Sequence, residues 1–132
     1  MDVQLERERV LKVLIADDDA LVRELLGAVL EAGQFELVFA EDGLSALEAV
    51  KDSRPDCVIL DLMMPGMDGL SVCEAIRKDP DIAGVRVVML TANALATRGR
   101  WREAGVDAML TKPFGALDLM DAITGSTAGD RT

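Results

Sequence analysis

Short apolar runs alternate along this chain with segments whose apolar residues recur at helical spacing. The first run, KVLIA (Lys12–Ala16), leads into three aspartates. ALVRELLGAVLEAG then sets Leu21, Val22, Leu25, Leu26, Val29 and Leu30 three and four residues apart, which predicts a helix. Asp19 stands where an N-cap belongs, and Gly33 where a helix stops. FELVFA (Phe35–Ala40) reads as a second strand, and GLSALEAVKDS as a helix with Leu44, Leu47 and Val50 on one stripe. PDCVILD is a third strand, followed by a helix, LSVCEAIRK, that aligns Leu70, Cys73 and Ile76. VRVVML (Val85–Leu90) is a fourth strand, and a weaker helical pattern covers about Arg98 to Ala104. DAML (Asp107–Leu110) is a fifth strand, and FGALDLMDAI a final helix with Phe114, Leu117, Met120 and Ile123 on one face.

Strands thus alternate with helices five times, and several strands are continuously apolar rather than alternating. Strands of that kind belong in a parallel sheet covered on both faces, an α/β fold. The folded unit is expected over residues 12–123. Residues 1–11 form an N-terminal extension, and residues 124–132 a flexible tail or the start of a linker.

Composition narrows the chemistry. The 132 residues are 50% hydrophobic and 29% charged, as expected of one globular domain. Apolar runs reach only four or five residues, far short of a membrane span. The charged N-terminus has no apolar core of a signal peptide, so the expected location is cytoplasmic. A net charge of −10 argues against direct contact with nucleic acid and against an anionic membrane surface. Cys57 and Cys73 lie in apolar segments and read as reduced core thiols. The absence of histidine excludes histidine-dependent triads and histidine-ligated metals. A bound ion would need oxygen ligands, which favours Mg²⁺, Mn²⁺ or Ca²⁺.

Open α/β sheets gather ligands at the carboxyl ends of their strands. Those ends carry Asp17 and Asp18, then Asp61, Thr91 and Lys112. Three carboxylates brought together repel one another unless a cation joins them. A divalent ion and the Lys112 ammonium are more positive charge than one carboxylate needs, so an added anionic group on Asp61 fits, above all a phosphoryl group.

The segments LIADDD, VILDLMMPGMDG, VVMLTA and LTKPF resemble, in order and spacing, the four signature segments of bacterial response-regulator receiver domains. The resemblance covers about Lys12 to Ile123. It implies a flavodoxin-like three-layer fold, with a five-stranded parallel sheet of order 2-1-3-4-5 and five helices. It makes Asp61 the phosphoacceptor, with Mg²⁺ (or Mn²⁺) held by Asp17, Asp18, Asp61 and the backbone carbonyl of Met63. Thr91 and Lys112 would contact the phosphoryl group, and the Lys112–Pro113 bond would be cis. The implied donor is a histidine kinase or a histidine phosphotransfer protein, with conformational switching and self-dephosphorylation as the only chemistry beyond that transfer. A downstream protein, an output domain outside this sequence, or a phosphorylation-dependent dimer would read the result. The rival reading is an interaction module with this fold that is not phosphorylated in use.

Three departures stand out. Met109 occupies a position where the family often has an aromatic switch residue that moves with the threonine, here Thr91. Gly99 falls inside the fourth helical pattern, so that helix should be short or mobile. Arg98, Arg100 and Arg102 surround the sole tryptophan, Trp101, either as a solvated helix with Trp101 turned inward or as a docking patch.

Overall fold

The computed structural model describes residues 10–33, 35–93, 95 and 99–125. Its elements are β1 (Lys12–Ala16), α1 (Ala20–Ala32), β2 (Glu36–Ala40), α2 (Gly43–Ser53), β3 (Cys57–Asp61), α3 (Gly69–Lys78), β4 (Arg86–Thr91), α4 (Arg100–Ala104), β5 (Ala108–Thr111) and α5 (Ala116–Thr124). The strands form one sheet in the order β2-β1-β3-β4-β5, and every pairing is parallel. Among the described residues, no helix is long and apolar enough to cross a membrane.

Successive side chains of a strand point to opposite faces, so a strand buried on both sides must be apolar throughout. In β1, Leu14 and Ala16 join one core layer while Val13 and Ile15 join the other. In β3, Val58 and Leu60 divide from Cys57 and Ile59 in the same way. The first layer is covered by α2, α3 and Trp101 of α4, the second by α1 and α5. Both cysteines are free and buried.

Helix starts follow capping chemistry. The side chains of Asp19, Asp42 and Asp68 accept backbone N–H groups of Leu21, Ser45 and Ser71 at 2.9, 2.7 and 2.8 Å. Those three aspartates are thereby committed to helix ends. Gly99 lies outside α4 as its N-cap, at φ 81°, where glycine is at ease. The helix is short, five residues, because it begins after that glycine. Arg98 lies outside the described residues.

Several stripe positions face water. Leu21, Leu25, Leu44 and Leu117 are 59–76% exposed, whereas Leu26, Leu30, Ala46, Val50, Leu119 and Ala122 carry the packing. The final helix begins at Ala116, so Phe114 precedes it, and its inner face is Leu119, Ala122 and Ile123. Trp101 is half-buried against the first core layer, with the Arg102 guanidinium 4.8 Å from its ring centroid.

Candidate functional site

Strand order reverses between β1 and β3, where one connection runs to β2 and the next to the other side. Ala16 pairs with Leu60, so the residues that follow, Asp17 and Asp61, emerge side by side. Leu90 pairs with Asp61, and the Thr91 carbonyl accepts the Lys112 N–H at 2.8 Å. Register alone therefore brings four distant stretches of chain to one edge. One ligand atom each from Asp17, Asp18 and Asp61 lies within 4.8 Å of the others. Lys112 Nζ stands 3.9 Å from Asp61 Oδ1 and 4.0 Å from Asp17 Oδ2.

This concentration of carboxylates is electrostatically expensive. Burial, then the neighbouring Asp17 charge, pushes the Asp61 carboxyl up to about 6, against the opposing pull of Lys112 and of the Met63 amide. Burial also raises Asp17, opposed by its hydrogen bond from the Asp19 amide at 2.9 Å and by Lys112. Asp17 Oδ2 is buried without a hydrogen-bond partner. A buried carboxylate oxygen left bare in this way, amid two further carboxylates, fits a hard divalent cation.

The β3–α3 loop is closed tightly beneath Asp61. Gly66 has φ 78°, a conformation suited to glycine. Gly69 is needed for a different reason, because a Cβ there would lie 2.7 Å from the Asp61 carbonyl oxygen and from Met89 Sδ. The Met63 side chain points into solvent, 73% exposed, whereas Met64 is buried. Thr91 is 3% exposed, and its hydroxyl donates to the Asn93 carbonyl and accepts the Asn93 N–H, both at 3.1 Å. Met109 is half-buried against the first core layer, as Trp101 is. The Lys112–Pro113 peptide is cis.

The family model of the response regulator receiver domain matches residues 13–124. This chain belongs to that family. Membership makes residues 13–124 a response regulator receiver domain. The receiver is 42% identical over 110 residues to the DNA-binding response regulator MtrA of Mycobacterium tuberculosis, a match spanning 83% of this chain and 47% of that protein. It thus spans about half the length of the curated relatives it matches. A putative response regulator from Chloroflexus aurantiacus superposes with TM-score 0.84 at 32% identity, covering 89% of this chain and 97% of that one. The receiver domain of a Pseudomonas aeruginosa sensor histidine kinase superposes with TM-score 0.82 at 26% identity, covering 89% and 97%, and carries a magnesium ion coordinated in its active-site cleft.

Two contributors to the receiver site had no signal in the pattern of the chain. Asn93 holds the Thr91 hydroxyl through its backbone, which any residue type could do. Arg23 donates from Nη1 to the Asp17 carbonyl at 2.6 Å, yet on the helix it reads as one more solvated arginine.

Proposed function

We propose that this receiver accepts a phosphoryl group on Asp61 from the phosphohistidine of a kinase or phosphotransfer protein. The observation that carries the reading is the meeting of Asp17, Asp18 and Asp61 within 4.8 Å, with the Lys112 ammonium opposite. Asp17, Asp18, Asp61 and the Met63 carbonyl would hold Mg²⁺, which when bound screens carboxylate repulsion and neutralises phosphoryl oxygens.

Asp61, mostly ionised at neutral pH even before a cation binds, presents its carboxylate oxygen in line with the donor's P–N bond. A P–O bond to Asp61 forms as the P–N bond breaks, and the electron pair leaves with the imidazole. Lys112 neutralises charge spreading over the equatorial oxygens. To donate to the phosphoryl group, the Thr91 hydroxyl must release Asn93, which alters the β4–α4 turn. That exchange of partners couples the chemistry to a conformational equilibrium that other proteins can read. Met109 lies on the layer that would have to yield.

The acidic charge makes a protein surface a better partner than nucleic acid for this part of the molecule. DNA binding, named for MtrA, would fall to a separate unit of a longer regulator. Intact mass after treatment with acetyl phosphate and Mg²⁺ tests the reading. One added phosphoryl group on the unaltered protein, and none on Asp61→Asn, is expected. An unmodified wild type would favour the unphosphorylated interaction module, and equal labelling of both would overturn Asp61 as the acceptor.

A further inference from the structure

Asp17 is the most buried member of the acidic cluster, and its backbone is gripped from two sides. Its N–H donates to the Ala40 carbonyl at 3.2 Å, the last bond before β1 and β2 diverge. Its own carbonyl lies past the end of the ladder and would lack a partner there. Arg23, one turn into α1 and only 19% exposed in its side chain, supplies the missing donor through Nη1 at 2.6 Å. The other arm of the same guanidinium, Nη2, lies 3.9 Å from Glu41 Oε2, just beyond β2. The fork therefore ties the loop after β1 to the loop after β2.

We infer that Arg23 is a positioning residue for the cation site, holding the Asp17 backbone so that Oδ2, which accepts no hydrogen bond, faces Asp61 and Lys112. The inference rests on the phosphoacceptor reading above, because it needs a cation there. Only a planar fork can meet both partners at once, so lysine is not an equivalent substitute. The Glu41 arm is mostly exposed and contributes little, whereas the carbonyl bond sets the direction of a ligand.

Position and charge predict opposite signs, which makes the inference testable. Removing a nearby positive charge should by itself tighten Mg²⁺ binding. Loss of ligand alignment should weaken it, by about tenfold on the scale of supporting contacts to metal ligands. MgCl₂ titrations followed by amide NMR shifts, on wild type, Arg23→Met and Arg23→Lys, read the difference on folded protein without any turnover. Arg23→Met is expected to bind Mg²⁺ about tenfold more weakly, with Arg23→Lys between it and wild type. Unchanged or tighter binding in Arg23→Met overturns the inference. If Arg23→Met does not fold, Arg23→Lys decides alone, with weaker binding in support and unchanged affinity against. A wild type that binds no Mg²⁺ takes down the phosphoacceptor reading itself, an outcome distinct from equal affinities in all three proteins.

Discussion

Replacing Asp61 by asparagine keeps the side-chain shape and removes one charge from a crowded, buried cluster. In the folded protein the Asp61 carboxyl lies at about 6, against 3.8 for the free group. That is a difference of roughly 2 units, each worth about 1.4 kcal/mol, so ionised Asp61 opposes folding by up to about 3 kcal/mol. Some 12% of the side chain is exposed, so water recovers part of this, and a gain of about 1–3 kcal/mol is expected for Asp61→Asn at neutral pH. The raised carboxyl lets the native state keep a proton that the unfolded chain releases between 3.8 and about 6. Wild-type stability therefore falls as pH rises through that window, while the asparagine protein lacks this term. The advantage of the variant should be absent at about pH 4 and complete by about pH 7. Urea denaturation in chelator, followed by Trp101 fluorescence, gives the comparison. Added Mg²⁺ should shrink the gap, since it stabilises the native state that binds it better. An Asp61→Asn protein less stable than wild type in chelator at neutral pH, or a gain equally large at low pH, would refute the reasoning.

Other expectations follow from the same geometry. Met63, two residues after Asp61 and exposed, has no group to orient an attacking water, so Met63→Asn should speed loss of the phosphoryl group several-fold, measured by decay of the phosphorylated mass. Gly69→Ala should cost about 1–3 kcal/mol in urea melts, because its Cβ meets the Asp61 carbonyl oxygen and Met89 Sδ at 2.7 Å; a neutral result would mean the loop relaxes freely. Burial pushes the Cys57 and Cys73 thiols up to about 12 and about 11, so neither should alkylate in the native protein at mildly alkaline pH while both react in denaturant. Thr91→Val should leave Asp61 able to take up the phosphoryl group, at a reduced rate, but abolish the associated amide NMR shifts around Asn93.

Much of this architecture is visible in one dimension. The doubly buried strands are apolar throughout their interiors, with polar residues only at their ends, which identifies a covered parallel sheet before any contact is known. Once the strands are placed, the polar residues at their ends have nowhere else to go, and Asp17, Asp61, Thr91 and Lys112 converge by register. Helix faces were less legible. Leu21 and Leu25 fit the helical stripe as well as Leu26 and Leu30, yet only the latter pair is buried, because the apolar arc of α1 is wider than its contact with the sheet. Gly99 reads as a defect within a helix until its φ of 81° shows it to be the boundary.

Sequence by itself determined the order of elements, the sheet type and the residues available at the cleft, since these depend on local periodicity and on where each apolar run stops. Tertiary structure decided which oxygen of Asp17 goes without a hydrogen bond, which backbone holds the Thr91 hydroxyl, what a side chain at Gly69 would collide with and what Arg23 grasps. Each of those depends on the distance between atoms on different chain segments. Such distances arise only when packed layers bring the segments together, and no periodicity within a single segment encodes them.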